Sequence, residues 1–316
     1  MTILITVPTT ELLDALTAVL PDTNIRLWDV TGQAPAGHIS MVVAPYMIPA
    51  ANLAPLAGID VDVLQLQSIG YDGVAAVVGA DVVICNAAGA HEEATAELAL
   101  ALVLASRRGI PNFVRAQDRS SWEQQFTIGV RGQRATIIGA GGIGTATARR
   151  LEACGVSVTR VGRSARTDDF GSIASITDLP RLLPQTDIVV LAVPLDDSTV
   201  GLVDADFLAA LPDNALIVNV ARGPVVDTEA LMVELESGRL WAALDVVDPE
   251  PLPSAHPLWS NPHAVIVPHV GGRVSTMHAD LSDLIGRQIA ALFRDEKVVN
   301  VVAGATSAFE KHALIS

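Results

Sequence analysis

The segment R134-A-T-I-I-G-A-G-G-I-G-T-A-T-A-R149 is the most informative part of the sequence, because a short apolar run enters a Gly-x-Gly-x-x-Gly turn that opens into a helix-like segment. Such a turn predicts a site for the pyrophosphate of a dinucleotide. Gly139 permits the tight turn, Gly141 lets the backbone approach the phosphates, and Gly144 lets the helix pack closely on the strand. A glycine turn is weak on its own, so its surroundings decide the interpretation.

The residues around this turn have the pattern of a βαβ unit. Residues 135–138 are predicted as a buried strand, 145–153 as a helix and 156–162 as the next strand. Further apolar strand-like runs follow at 187–194, 215–221, 241–247 and 264–269. Six strands alternating with helices predict a doubly wound parallel sheet, in which ligands bind at the carboxyl ends of the strands.

The chain before the turn has a second α/β pattern. Strand-like runs occupy residues 3–7, 25–30, 41–44, 63–67 and 82–85, and an amphipathic helix occupies 10–20. A long helical pattern covers 92–107, and a last helix at 275–294 leads into an apolar run at 298–302 that we expect to dock back on the first domain. With 316 residues the chain is long enough for two domains, so we predict an α/β protein with two sheets.

Composition excludes several classes of partner. Half of the residues are hydrophobic and 17% are charged, as in a well-buried globular protein. The net charge of −15 disfavours attraction to nucleic acid or to anionic lipid, and the longest apolar stretch, residues 98–105, is too short to span a bilayer. Neither the cysteines nor the histidines have metal-ligand spacing. We expect a cytoplasmic protein without a metal, a nucleic-acid partner or a membrane partner.

Three predicted strand ends carry side chains suited to acid–base chemistry. They are A221-R-G-P-V-V-D227, D245-V-V-D-P-E-P-L-P253 and V267-P-H-V-G-G272, which supply a cation, a carboxylate and an imidazole. Each residue alone is ordinarily a surface or packing residue. Their order and their common position after parallel strands favour a shared site instead.

With the glycine turn, these segments resemble the D-isomer-specific 2-hydroxyacid dehydrogenase family. The resemblance also covers Q67-S-I-G-Y-D72, T95-A-E-L98 and A192-V-P-L-D-D-S-T-V-G-L-V-D204, and so nearly the whole chain. It implies a Rossmann-type NAD(P)-binding domain at residues 98–285 and a smaller flavodoxin-like α/β substrate domain at residues 1–97 and 286–316. It also implies a homodimer.

The resemblance assigns roles to individual residues. Arg222 would bind the substrate carboxylate and carbonyl oxygen, His269 would donate the proton, and Glu250 would partner His269. Backbone groups of Ile69 and Gly70 would hold the substrate carboxylate. The cofactor-binding positions are Thr95, Gly139, Gly141, Gly142, Ile143, Gly144, Arg163, Ser164, Arg166, Val193, Pro194, Val220, Ala221, Arg222, Asp245, His269 and Gly271, with Asp245 facing the nicotinamide.

The implied reaction explains these residue types. Reducing a small 2-keto acid, such as glyoxylate or hydroxypyruvate, to the D-2-hydroxy acid needs a hydride from NAD(P)H at carbon and a proton at oxygen. An imidazolium such as His269 can give and recover a proton near neutral pH, and the Glu250 carboxylate would stabilise its charged form. The planar guanidinium of Arg222 matches a carboxylate and stays cationic beside the oxygen that gains charge.

The residues after the second strand of the βαβ unit indicate which cofactor is used. NAD-selective sheets place an acidic residue there, about 20 residues past the glycine turn, to bind the ribose hydroxyls. This chain reads V161-G-R-S-A-R166, which puts Arg163, Ser164 and Arg166 where a 2'-phosphate would lie. We therefore predict a preference for NADP(H), with NAD(H) use possible.

Two other functions stay open. A phosphite dehydrogenase-like enzyme keeps the same Arg, Glu and His set, whereas a formate dehydrogenase carries Gln where this chain has Glu250. A dinucleotide-sensing interaction protein of the corepressor type shares the implied fold and catalytic residues. The four tryptophans at positions 28, 122, 241 and 259 are predicted to be packing residues rather than substrate contacts, with one of them lining the cleft as the alternative.

Overall fold

The computed structural model describes residues 3–294 and 296–304, and the chain forms two compact units. The first unit comprises the chain up to His91 and from Ser275 onward, and the second comprises Glu92–Val274. Residues 1–2, 295 and 305–316, which the sequence assigns to the substrate domain, lie outside the described residues.

The predicted domain boundaries at 97/98 and 285/286 fall inside two helices, whereas the units divide near the starts of those helices. The reason is that each helix packs as a whole on one unit. Glu92–Arg107 packs against the helix Gly142–Ala153, and Met277–Phe293 packs against the helix Thr10–Val19.

The elements are as follows in chain order. Up to His91 they are β1 (Leu4–Val7), α1 (Thr10–Val19), β2 (Asn24–Leu27), β3 (Ile39–Val43), a 3₁₀ helix (Ala50–Leu56), β4 (Val61–Gln65), α2 (Val74–Val78) and β5 (Val83–Cys85). The second unit contains α3 (Glu92–Arg107), α4 (Ile110–Asp118), β6 (Arg134–Ile138), α5 (Gly142–Ala153), β7 (Ser157–Gly162), β8 (Arg166–Asp168), β9 (Gly171–Ser175), α6 (Leu179–Leu182), β10 (Ile188–Leu191), α7 (Ala205–Ala209), β11 (Leu216–Asn219), α8 (Thr228–Glu236), β12 (Trp241–Leu244) and β13 (Ala264–Ile266), with 3₁₀ turns at Ile176–Asp178, Leu183–Gln185, Gly223–Val225 and Pro257–Ser260. The remaining elements are α9 (Met277–Phe293) and β14 (Val301–Ala303).

The sheet of the first unit has the order β14-β5-β4-β3-β1-β2. Strands β1 to β5 are parallel and lie in the spatial order 2-1-3-4-5. This is the order of a flavodoxin-like fold, which was predicted for this domain. The apolar run near the end of the described chain docks on the first domain as expected, and it does so by adding β14 antiparallel to β5. Helix α1 starts after Thr9, whose hydroxyl oxygen accepts the N–H of Leu12, and it buries Leu12 and Leu16 in a core shared with α9.

The sheet of the second unit has the order β13-β12-β11-β10-β6-β7-β9-β8. The order β9-β7-β6-β10-β11-β12 corresponds to the 3-2-1-4-5-6 order of a Rossmann fold, and β13 extends it, so the predicted fold class is confirmed. All six predicted strands are present, but the count was wrong because β8 and β9 add a hairpin at one edge. Strand β8 is entirely exposed and carries no apolar side chain, so it gives no hydrophobic pattern.

Apolar side chains cover both faces of the second sheet, as a parallel sheet with helices on each side requires. None of the helices within the described ranges combines the length and apolar character needed to cross a membrane. The prediction that the tryptophans pack is correct for Trp28, which is buried, and for Trp241, whose ring contacts that of His263. It is wrong for Trp122, whose exposed fraction is 91%, and Trp259 is 49% exposed. The segment after α4 that carries Trp122 has no regular secondary structure to bury it.

Candidate active site

The glycine turn joins β6 to α5 and is built from close backbone approaches. Gly139 has a φ of +114°, and a β-carbon there would lie 2.2 Å from the carbonyl oxygen of Ala192. A β-carbon at Gly144 would lie 1.8 Å from the carbonyl oxygen of Gly139. Only glycine therefore fits at either position, which brings α5 close to the end of β6.

Gly141 differs from these two glycines, because a β-carbon there would meet no protein atom within 4 Å. The space above the first turn of α5 is open where a side chain would otherwise stand. Backbone N–H groups of a helix N-terminus facing open space suit the pyrophosphate of a dinucleotide. The residues of the turn thus fit an NAD(P) cofactor, with Gly142 and Ile143 in the first turn of the helix.

Arg222 lies in the turn that follows β11, and Asn219 shapes this turn. The Asn219 side-chain amide donates to the carbonyl oxygen of Arg222 at 2.9 Å, and its oxygen accepts the N–H of Ala221 at 3.0 Å. A β-carbon at the next residue, Gly223, would lie only 1.9 Å from the carbonyl oxygen of Val247. The glycine therefore lets the Arg222 turn contact the segment that leads from β12 to Glu250.

His269 lies in the loop after β13, and Asp245 at the end of β12 holds this loop. One carboxylate oxygen of Asp245 accepts the N–H of Val270 at 2.7 Å, and the other accepts the N–H of Gly271 at 3.0 Å. The carbonyl oxygen of Asp245 also accepts the N–H of His269 at 2.8 Å. These bonds support a φ of +51° at His269, a conformation that is uncommon for residues other than glycine.

The Asp245 carboxylate is 4% exposed. Burial raises its pKa, although the two N–H donors and the charge of His269 oppose that shift. Asp245 was predicted to face the nicotinamide, and both of its carboxylate oxygens are engaged by the backbone next to His269. Its carboxylate thus holds the backbone of the loop that carries His269.

His269 and Glu250 are brought together as the sequence predicted. Nδ1 of His269 lies 2.5 Å from Oε1 of Glu250, and the two side chains are 24% and 38% exposed. Burial would raise the pKa of Glu250, but the hydrogen bond and charge of His269, together with the charge of Arg222, lower it below its ordinary value. Because Nδ1 is used by Glu250, Nε2 is the imidazole nitrogen that can serve a substrate.

The other predicted cofactor residues of this unit follow the carboxyl ends of the same strands. Val193 and Pro194 follow β10, and Val220 and Ala221 follow β11. Thr95 is buried in the first turn of α3, and its side chain is 3.2 Å from where a β-carbon of Gly271 would lie. These residues and the glycine turn therefore lie along one edge of the sheet, where such folds bind dinucleotides.

Arg163, Ser164 and Arg166 follow β7 and are exposed. Arg163 is 82% exposed, and its Nη2 lies 3.4 Å from Oδ2 of Asp196. Nη1 of Arg166 donates to the carbonyl oxygen of Ser164 at 3.4 Å. Within residues 3–294 and 296–304 both guanidinium groups make only long hydrogen bonds, so an anion can compete for them.

Ile69 and Gly70 belong to the first unit, in the loop after β4. The Asn86 side chain donates to the carbonyl oxygen of Ile69 at 2.8 Å, and the Ser68 hydroxyl donates to the carbonyl oxygen of Gly70 at 2.8 Å. Two side chains thus fix the orientation of these peptide groups.

The sequence did not reveal three features of this site. Asn219 and Gly223 shape the Arg222 turn, and Asp245 anchors the His269 loop. The position of Asn219 directly before V220-A-R222 was the available signal, because an asparagine at the end of a strand often caps the following turn. The contact of Gly223 with Val247 had no sequence signal, since it depends on how two loops meet.

Comparison with known proteins agrees with this geometry. Residues 100–271 match the family model for the D-isomer specific 2-hydroxyacid dehydrogenase, NAD binding domain. The chain is 32% identical over 250 residues to a glyoxylate reductase/hydroxypyruvate reductase of Homo sapiens, covering 76% of each chain. It is 33% identical over 245 residues to a glyoxylate reductase of Thermofilum pendens, covering 74% of this chain and 72% of the relative.

Among solved structures, the chain is similar to a D-isomer specific 2-hydroxyacid dehydrogenase of Xanthobacter autotrophicus Py2 in complex with NADPH and MES. The TM-score is 0.81 at 28% identity, over 95% of this chain and 98% of the other. The chain therefore belongs to the D-isomer-specific 2-hydroxyacid dehydrogenase family. It is an NAD(P)-dependent oxidoreductase of the class that interconverts 2-keto and 2-hydroxy acids.

Proposed function

We propose that this protein reduces glyoxylate or hydroxypyruvate to the D-2-hydroxy acid, with NADPH as the preferred cofactor. The observation that carries the proposal is the contact of His269 Nδ1 with Glu250 Oε1 at 2.5 Å, at the sheet edge that also presents Arg222 and the glycine turn. Relatives named glyoxylate reductase support the substrate class. The overall reaction joins 2-keto acid, NADPH and a proton to give 2-hydroxy acid and NADP⁺.

In this proposal Arg222 binds the carboxylate of the keto acid and lies beside its carbonyl oxygen. A fixed guanidinium stabilises the negative charge that develops on this oxygen during reduction. The family resemblance assigns substrate-carboxylate binding to backbone groups of Ile69 and Gly70, and the proposal keeps that assignment. The bound nicotinamide supplies the hydride.

His269 Nε2 gives its proton to the carbonyl oxygen as that oxygen gains charge. Glu250 holds the imidazole through Nδ1 and stabilises its protonated form before the transfer. The lowered pKa of Glu250 keeps the carboxylate ionised at neutral pH, as this role requires. Asp245 keeps the His269 loop in its left-handed conformation through Val270 and Gly271.

The preference for NADPH is supported by Arg163 and Arg166 and by the absence of an acidic residue at the end of β7, which closes with V161-G162. A guanidinium binds a 2'-phosphate through charge-assisted hydrogen bonds, whereas a carboxylate there would repel it. The relative from Xanthobacter autotrophicus was solved with NADPH. NADH is proposed as the weaker cofactor.

We further propose a homodimer in the cytoplasm. The second unit exposes several large apolar side chains on α4 and the segment after it: Ile110, Val114, Trp122, Phe126 and Ile128. Exposed apolar side chains that are close in sequence favour an interface with another chain. Light scattering coupled to size exclusion should give twice the 33.0 kDa chain mass, and the monomer mass would contradict the dimer. Cell fractionation tests the location.

The experiment that tests the activity is a panel of 2-keto acids with NADPH and NADH, followed by two variants. His269→Ala should lower kcat by roughly 10²- to 10⁴-fold, and Glu250→Gln should lower it by a smaller factor, because general acid catalysis contributes about that much. Both variants should still bind NADPH, as followed by cofactor fluorescence. Unaltered turnover in His269→Ala would refute the assigned proton donor.

The same panel separates the alternatives. NADPH binding without turnover of any keto acid would favour a dinucleotide sensor of the corepressor type. Reduction of NADP⁺ by phosphite, without keto-acid reduction, would favour a phosphite dehydrogenase-like enzyme. The highest kcat/KM for glyoxylate or hydroxypyruvate among the 2-keto acids would support the proposed reductase.

A further inference from the structure

The hairpin of β8 and β9 carries Arg166 at the edge of the second sheet. Strand β8 is three residues long, lies outermost in the sheet and is exposed along its whole length. Among the strands that the structure describes, it pairs with β9 alone. So short a strand buries little apolar surface, and an unanchored edge strand of this kind opens easily.

Arg160 on β7 anchors this hairpin. Its Nη1 donates to Oδ2 of Asp168 at 2.7 Å, and its Nη2 donates to Oδ1 of Asp168 at 2.6 Å. The same guanidinium donates to the carbonyl oxygen of Gly171 and the hydroxyl of Thr145. Arg160 is only 5% exposed. Its guanidinium group reaches across β9 and binds the Asp168 carboxylate on β8 through two hydrogen bonds.

This anchor determines where Arg166 lies. The strand register aligns Arg160, Ile173 and Arg166 in one row across β7, β9 and β8. Arg166 and Asp168 are two residues apart on a strand and therefore share a face. The guanidinium of Arg166 lies over Gly162, since a β-carbon at Gly162 would be 2.7 Å from its Nη1.

The two arginines near Asp168 have different surroundings: Arg160 is bound by this carboxylate, and Arg166 is not. The hydrogen bonds from Arg160, aided by the N–H of Phe170 and the charge of Arg166, lower the pKa of Asp168 to about 2. Its charge is thus present throughout the range in which the enzyme would work. Arg160 is engaged by this carboxylate, while Arg166 makes a single long hydrogen bond of 3.4 Å to the Ser164 carbonyl.

We propose that Asp168 and Arg160 are positioning residues for cofactor selectivity, because their ion pair holds β8 where Arg166 reaches the 2'-phosphate of NADPH. The inference rests on the proposed NADPH preference and names the residues that enforce it. Neither Asp168 nor Arg160 touches the phosphate in this proposal.

Positioning and simple electrostatics predict opposite results when Asp168 is removed. Deleting a carboxylate near an anion-binding site strengthens anion binding if only its charge matters. Deleting the anchor of β8 weakens anion binding if the location of Arg166 matters. Asp169 offers a matched control, because it is the adjacent exposed carboxylate and has no ion pair among residues 3–294 and 296–304.

The test compares Asp168→Ala, Asp168→Asn and Asp169→Ala with the unaltered protein. Two readouts are used: kcat/KM for NADPH and NADH, and the Kd of adenosine 2',5'-bisphosphate against that of AMP by titration calorimetry. For Asp168→Ala we expect about a tenfold loss with NADPH and with the bisphosphate, and no loss with NADH or AMP. Asp168→Asn retains one acceptor for Arg160, so its loss should be smaller and in the same direction. Asp169→Ala should show no loss.

Each other outcome has a defined meaning. Equal or tighter binding of the bisphosphate by Asp168→Ala, or equal losses with NADPH and NADH, would overturn the positioning role. If Asp168→Ala fails to fold, the same comparison with Asp168→Asn decides. A preference of the unaltered protein for NADH and AMP would instead overturn the proposed NADPH preference, and so is distinguishable from failure of this inference.

Discussion

Gly223 lies so close to Val247 that a β-carbon on the glycine would be 1.9 Å from the valine carbonyl oxygen. This approach joins the turn that carries Arg222 to the segment that carries Glu250. The two segments follow neighbouring strands, β11 and β12, so one backbone contact aligns two of the three proposed catalytic side chains.

Gly223→Ala should therefore impair both catalysis and stability. The backbone at 223 or 247 must move, and overpacking of this kind costs about 1 to 3 kcal/mol of unfolding free energy. A displacement of order 1 Å between reacting groups can cost roughly 10²-fold in rate, which we expect in kcat/KM for the keto acid. Urea unfolding and steady-state kinetics measure both effects.

The matched control is Gly286→Ala in α9. A β-carbon there would contact only the Leu16 side chain, at 3.9 Å, and alanine favours a helix interior. Its activity and stability should equal or exceed those of the unaltered protein. Wild-type kinetics in Gly223→Ala would show that the Arg222 turn is not aligned through this contact.

Asp245→Asn should lower kcat while leaving the unfolding free energy nearly unchanged. The amide keeps one oxygen acceptor for Val270 or Gly271 but turns its NH₂ group toward the other N–H. The variant loses one hydrogen bond to the loop, which lowers the free energy of unfolding. It also removes a buried charge, which raises that free energy, because burial of the carboxylate is unfavourable, as the raised pKa of Asp245 indicates. The left-handed His269 loop loses support, so we expect roughly a 10²-fold fall in kcat. A stable variant with full kcat would contradict the anchoring role.

Gly162→Ala should reduce cofactor selectivity without a large loss of stability. The added β-carbon would lie 2.7 Å from Nη1 of Arg166, the flexible end of a side chain, and 3.1 Å from Cγ2 of Ile173. We expect the ratio of kcat/KM for NADPH to that for NADH to fall about tenfold. Ser157→Ala, at the exposed other end of β7, is the control and should keep the ratio. Equal ratios in the two variants would contradict the position assigned to Arg166.

The ion pair of Asp168 with Arg160 should make stability depend on pH in the acid range. The pKa of Asp168 is lowered from 3.8 to about 2, so the folded state binds the proton more weakly than the unfolded state. Its stabilising contribution is therefore complete above 3.8 and is lost as the pH falls toward 2. The difference in Tm between the unaltered protein and Asp168→Asn should be smaller at pH 3 than at pH 6. A difference that grows on acidification would contradict the ion pair.

The sequence predicted the elements whose pattern is local. The apolar period of α3 gave its observed bounds, Glu92–Arg107, and the glycine turn located β6 and α5. It also predicted that His269 and Glu250 would be partners, although only the structure gives their contact. The helix and the glycine turn depend on short segments whose geometry follows from residue type, whereas the pairing of His269 with Glu250 was implied by the family resemblance.

The remaining features depend on contacts between distant segments. Strand β8 has no hydrophobic pattern, and the ion pair that anchors it joins residues on different strands, so no local signal announced it. The role of Asp245 was incompletely predicted for the same reason. Which groups its carboxylate binds is determined by the loop after β13, 25 residues further along the chain.

The antiparallel strand β14 has a consequence for synthesis of the protein. Residues 92–274 are continuous, so the ribosome releases everything needed for their sheet in one piece. Strands β1 to β5 of the flavodoxin-like sheet are synthesised first. This sheet nevertheless lacks α9 and β14 until the residues after 274 have been synthesised. Domains fold as units during translation. We therefore expect the sheet of the second unit to form while the β5 edge of the flavodoxin-like sheet is still unpaired.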